Sequence, residues 1–118
     1  MELSKEFTFE AAHRLPNLPT EHKCSRLHGH SYKVIVEVSG PLQEEFGWVM
    51  DFGDIKVAWK DLDDALDHRY LNEILGLENP TSEVLAIWIW DRLKGSLSEM
   101  LSAVTVRETC TSSCTYRG

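Results

Sequence analysis

KCSRLHGHSYKVIVEV, residues 23–38, contains two patterns that meet at His30. From there on, Tyr32, Val34, Val36 and Val38 recur at every second position, while Lys33, Ile35 and Glu37 fill the alternate set. Successive side chains of a strand point to opposite faces, so this is a strand with one apolar face. His28 and His30 continue the parity of that face. Two imidazoles placed two residues apart on a strand can converge on one ion, and Gly29 between them removes bulk from the opposite face. His-x-His also occurs in strands whose rings simply face water, so the pair alone leaves both readings open. Gly40-Pro41 ends the strand.

Upstream, residues 3–12 (LSKEFTFEAA) hold Phe7 and Phe9 at period two and read as a first strand. RLPNLPTEHKCSR, 14–26, has two prolines and mixed polarity and reads as a long loop. If the two strands form an antiparallel hairpin, His13 at the end of the first swings across to join His28 and His30. Three imidazoles and one open position describe a catalytic zinc site. Cys24 lies in the loop between Lys23 and Arg26, whose charges favour the thiolate. Its sulfur is either a fourth ligand, which closes the site, or a base standing off the metal. His22 reads as an exposed loop residue.

Downstream, Asp51 can cap a helix running to about Leu66, with Ile55, Trp59, Leu62 and Leu66 at helical spacing. Asp67-His68 follow at its C-terminal end. A carboxylate beside a histidine can hold its tautomer, but adjacent residues on a helix do not face each other, so such a pair requires the helix to have ended. Asn79-Pro80-Thr81 breaks the chain and starts a second helix, with Leu85, Ile89, Leu93 and Leu97 as its stripe. In SAVTVRET, 102–109, Val104, Val106 and Glu108 share a face, and a short strand is expected at TYRG. Glu108 thus ends an apolar surface and needs a partner, either a cross-strand cation or a ligand offering N–H groups. The expected fold is α+β, an antiparallel ββααββ unit with two helices on one sheet face. Its other face would need covering by a partner subunit.

The chain has 118 residues, 42% hydrophobic and 26% charged, and reads as a single domain over 1–118. A net charge of −7 argues against nonspecific binding to nucleic acid or anionic membranes. Cys24, Cys110 and Cys114 are an odd set, without a secretory segment or an apolar run of the ~20 residues that cross a bilayer. A cytoplasmic protein with reduced thiols is expected, with Cys110 and Cys114 structural.

FTFEAAHRL, CSRLHGHSY, DFGDIK, LDHRYLN, NPTSE and VRETCT, in this order, resemble the 6-pyruvoyltetrahydropterin synthase family across essentially the whole chain. The three residues between Cys24 and His28, and the closing ETCTSSCTYRG, are similar to its bacterial queuosine-pathway branch. The resemblance implies the tunnelling fold, with sheets joined around a symmetric barrel in a homohexamer of two trimers and active sites at subunit interfaces. It implies a zinc-dependent lyase acting on 7,8-dihydroneopterin triphosphate, giving 6-carboxytetrahydropterin, acetaldehyde and triphosphate. The pyruvoyl-forming reaction of the same family and a non-catalytic zinc module are the alternatives. Carried over, His13, His28 and His30 hold Zn2+ and Cys24 is the base. Asp67 and His68 relay protons, and Glu108 grips the pterin's N–H edge. The motifs leave the triphosphate-binding residues unassigned.

Overall fold

The two alternating segments fold back on each other as a long hairpin. β1 (Glu2–His13) and β2 (His28–Ser39) pair antiparallel from Glu2↔Ser39 to His13↔His28. This computed structural model describes residues 1–118. β2 also pairs antiparallel with β4 (Leu101–Arg107), and β4 with β5 (Cys114–Tyr116). A two-residue strand, β3 (Arg69–Tyr70), lies parallel to β1 at Ala11 and Ala12, giving the order β3-β1-β2-β4-β5.

Helices α1 (Phe52–Leu66) and α2 (Ser82–Leu97) start where their caps dictate. An Asp51 carboxylate oxygen accepts the Gly53 N–H at 2.8 Å, and Thr81 Oγ1 accepts that of Val84 at 3.1 Å. Each cap is worth about 1 kcal/mol. Ile55, Trp59, Leu62 and Leu66 of α1 and Leu85, Ile89, Leu93 and Leu97 of α2 are buried, as their spacing requires. They pack on Phe9, Tyr32, Val34, Val36, Val38, Val104 and Val106 in one hydrophobic cluster. Trp59 stacks on Phe7 at 4.8 Å between centroids, and Phe9 on Tyr32 at 4.9 Å. Each fully buried side chain of this size contributes about 1.5–3 kcal/mol.

Three expectations need correction. The sheet is not wholly antiparallel, because β3 joins it in parallel; two residues carry no periodicity that sequence could reveal. The face away from the helices does not require a cover. It is mainly polar, with Glu6–Lys33 at 3.5 Å, the Ser31 hydroxyl donating to Glu10, and Ser102 donating to Glu37 at 3.1 Å. An antiparallel sheet with such a face is stable in water. Of the two cysteines expected to be structural, Cys114 is partly buried, but Cys110 is exposed in the turn between β4 and β5.

Candidate active site

The hairpin register builds the centre of the site. His13 stands directly opposite His28, and His30 lies opposite Ala11, so all three imidazoles emerge on the helix side of the sheet. Their ring centroids are 4.5, 5.0 and 4.8 Å apart, and one nitrogen from each lies within 4.8 Å of the others. His13 is buried and the other two are partly so.

The hydrogen bonds behind the rings fix which nitrogens carry lone pairs. His13 Nδ1 lies 2.9 Å from the Pro80 carbonyl, and His28 Nδ1 lies 2.7 Å from that of Arg26. A carbonyl only accepts, so both Nδ1 atoms must be N–H donors, and in the neutral rings both Nε2 atoms carry lone pairs. Yet these two Nε2 atoms face each other at 3.0 Å. Two lone pairs at that distance repel unless a cation lies between them. His30 Nε2 is likewise buried without a hydrogen-bond partner. The donor set therefore fits a metal ion that neutral imidazoles favour, with zinc the usual occupant.

Electrostatics agree with neutral rings. Burial lowers the pKa of His13 and outweighs the opposing effects of the Pro80 carbonyl and the Glu108 carboxylate. His30 is lowered for the same first reason. The Tyr32 hydroxyl, 3.1 Å from His13 Nδ1, is driven far above the ordinary phenol range, first by burial and then by Glu108. It stays protonated and shares the Nδ1–H as a second acceptor beside Pro80.

Around this centre the other sequence-selected residues differ. Cys24 sits in a single 3-10 turn, Lys23–Ser25, whose position is set by the Leu15 N–H donating to the Cys24 carbonyl at 2.8 Å. Its sulfur is not a member of the metal-capable group, which consists of His13, His28 and His30. The four-ligand closed site is thus not formed. Glu108 follows the last residue of β4, and its Oε2 is 3.9 Å from His30 Nε2, so the structure brings it to the histidines. His22 is exposed, and its Nδ1 accepts the Cys24 N–H at 3.1 Å.

Asp67 and His68 do pair, because α1 has ended. Asp67 is extended and His68 has φ +57°, a conformation that bulky L-residues seldom adopt. This puts Asp67 Oδ2 2.8 Å from His68 Nδ1, while its Oδ1 accepts the Glu10 N–H at 2.9 Å. The Glu10 N–H, then the His68 ring, hold the Asp67 carboxyl below the usual carboxylate range. With Nδ1–H donated to Asp67, His68 presents Nε2 outward, and its side chain is 78% exposed. It lines an open cleft of about 520 Å³ with Glu10, Gly29, His30 and Ser31. A methyl at Gly29 would meet only the Ala11 carbonyl, at an ordinary 3.6 Å, so the room that glycine leaves is on the cleft side.

Sequence reasoning missed the groups behind the rings. Tyr32 was detectable, since it shares the parity of His28 and His30. The Pro80 and Arg26 carbonyls were not, because backbone groups leave no signature in side-chain patterns.

A three-imidazole centre that could hold a metal ion, at one end of a hairpin on a sheet backed by two helices, marks the chain as an α+β protein with a candidate metal centre. The profile of the 6-pyruvoyl tetrahydropterin synthase family matches residues 2–118, and the chain belongs to that family. It is 48% identical, over 95% of its length and 89% of the relative's, to the 6-carboxy-5,6,7,8-tetrahydropterin synthase of Synechocystis sp.. It is 34% identical to the 6-pyruvoyl tetrahydrobiopterin synthase of Dictyostelium discoideum, over 98% and 95% of the two chains. The structure of the Caenorhabditis elegans 6-pyruvoyl tetrahydropterin synthase superposes with a TM-score of 0.92 at 30% identity, covering 100% of this chain and 95% of that one. The tunnelling fold expected from the sequence is the fold found. No helix is long and apolar enough to cross a membrane.

Proposed function

We propose that this chain is a zinc-dependent lyase converting 7,8-dihydroneopterin triphosphate to 6-carboxytetrahydropterin, acetaldehyde and triphosphate, a step of queuosine synthesis. The observation that carries the proposal is the pair of Nε2 lone pairs facing each other at 3.0 Å, with the Cys24 thiol outside the group. This supports reading the centre as an open site, with Cys24 free to act as a base rather than as a ligand. The 48% identity to a 6-carboxy-5,6,7,8-tetrahydropterin synthase supports the choice of product.

His13, His28 and His30 hold the ion, which when bound supplies Lewis acidity toward the hydroxyl oxygens of the substrate side chain. Cys24, as thiolate, removes the carbon-bound proton next to such a hydroxyl. The Asp67 carboxylate keeps the His68 proton on Nδ1, leaving Nε2 to take up and return a proton on the other side of the substrate. Glu108 accepts two parallel N–H groups from the pterin edge, a charge-assisted pair that fixes the ring.

In the same reading the protein is a cytoplasmic homohexamer of two trimers. The free thiols are consistent with the compartment. The exposure of the Asp67–His68 pair is consistent with an active site completed at a subunit interface.

Incubation with 7,8-dihydroneopterin triphosphate, followed by mass identification of products, tests the proposal. Equal amounts of carboxypterin and acetaldehyde are expected. A pyruvoyl pterin without aldehyde would reassign the chain to the other reaction of its family, which the Dictyostelium discoideum relative represents. No turnover from a zinc-loaded protein would leave a binding module.

A further inference from the structure

LDHRYLN ends in a polar residue, Asn72, that the proposed chemistry does not use. Asn72 lies in the 3-10 turn Leu71–Glu73 that follows β3, where the chain leaves the sheet. The backbone pairing of β1 with β3 stops at Ala12↔Tyr70, one residue before His13. There the Asn72 side chain takes over. Its Oδ1 accepts the Arg14 N–H at 2.9 Å, and its Nδ2 donates to the Arg14 carbonyl at 2.8 Å. One amide thus satisfies both backbone groups of the residue after His13, as a paired strand would.

The same Nδ2 donates to the Glu78 carbonyl at 3.2 Å. Glu78 stands two residues before Pro80, whose carbonyl holds the His13 Nδ1–H. Asn72 therefore bridges the two backbone segments that together set the position and the tautomer of His13. Asn79 Oδ1, buried and unpartnered between them, takes no share in this tie.

We infer that Asn72 is a positioning residue for the metal centre, clamping the chain at Arg14 to the Glu78–Pro80 segment so that His13 presents Nε2 to the ion. The inference rests on the metal reading above, but its structural half concerns the metal-free protein too. Rearranging His13 loosens the ligand that is most buried and least able to find a substitute partner. Outer groups that orient a metal-bound imidazole are typically worth 10–100-fold in affinity, and Asn72 acts on one of them, the Pro80 carbonyl, while also fixing the backbone next to His13.

The test uses Asn72→Ala and the near-isosteric Asn72→Asp, which keeps an acceptor for the Arg14 N–H and loses both donors. Trp88→Phe serves as control, since it removes the 3.1 Å bond from the indole N–H to the Leu75 carbonyl and so loosens the same loop away from Arg14. Zinc affinity is read by chelator competition, and the metal-free His13 tautomer by long-range nitrogen–proton spectra. We expect about a 10-fold loss of zinc affinity in both Asn72 variants, with exchange between the two His13 tautomers. Trp88→Phe should lower the melting temperature and leave both readouts unchanged.

Wild-type affinity and a fixed Nδ1–H tautomer in Asn72→Asp would overturn the inference, as would an equal loss in Trp88→Phe. If the wild-type protein binds no zinc, the metal reading fails, and the tautomer spectra still decide whether the clamp exists. If Asn72→Ala does not fold, Asn72→Asp carries the comparison.

Discussion

The three-histidine centre and the Asp67–His68 pair stand at the same end of the sheet, but they are built by opposite means. Sheet register makes the first. His13 and His28 are cross-strand partners, and His30 follows at the same parity, so the rings meet wherever the hairpin forms. A local break makes the second: α1 stops, and one residue with φ +57° turns the ring back onto its neighbour. In the first, His13 is buried and burial holds His13 and His30 below the ordinary imidazole range; in the second, His68 is exposed and the Asp67 carboxyl is held below the usual carboxylate range. A metal site needs fixed, desolvated donors, whereas a proton relay needs access. On the proposed reading each would come from the element suited to it.

Removing one of the register-built donors should have the largest effect. His28→Ala leaves two imidazoles, and zinc affinity should fall by more than the roughly 10–100-fold typical of changes behind the ligands. Turnover should vanish with it. Metal analysis after gel filtration reads the outcome, and an unchanged zinc content would refute the three-histidine centre. Cys24→Ala separates the thiol from the ion. Turnover should drop about 10²–10⁴-fold, the range of a lost general base, while zinc content stays at one per chain. Loss of zinc from that variant would return Cys24 to the ligand set.

The proposed relay can be broken without touching the register. His68→Ala should lose turnover by about 10²-fold and keep its metal. His68→Gly should lose the same turnover yet be more stable than His68→Ala by about 1 kcal/mol, because glycine adopts positive φ without strain. Urea unfolding of the metal-free variants measures that gap. Equal stabilities would mean that the turn relaxes, and that the pairing of Asp67 with His68 does not depend on it.

These contrasts also explain what was legible in the sequence. Both helices and the two long strands followed from periodicity and caps, because Asp51, Thr81 and the alternating valines express local rules. The histidine centre was legible for the same reason, since parity plus a hairpin suffices. The Asp67–His68 pair was readable only as a condition, that the helix must end, since no glycine there announces a positive φ. β3, the carbonyls of Pro80 and Arg26, and the grip of Asn72 on Arg14 depend on tertiary packing of backbone groups, to which side-chain patterns are blind. The supposed need to cover the second sheet face failed for a simpler reason. Lys33, Glu37, Glu6 and Glu10 were already there to be read as a polar face.

The smallest effect concerns acid, and it divides the two regions by pH. His13 and His30 have folded pKa values below the ordinary imidazole value of about 6.5, mainly through burial. Between the folded and the unfolded values the unfolded chain binds more protons, so stability rises with pH across that window and is lost as pH falls through it. Asp67 is also lowered, but from the carboxylate range. The stability it contributes is present above the unfolded aspartate value of about 3.9 and is lost only as pH falls through its lower folded value. Metal-free protein should therefore weaken in two separate steps, the first below about pH 6.5 and the second below about pH 4. His30→Gln should diminish the first step and leave the second, and Asp67→Asn should do the reverse. Urea midpoints taken from pH 8 to pH 3 would show it, and a single step shared by both variants would mean that the two regions titrate as one network.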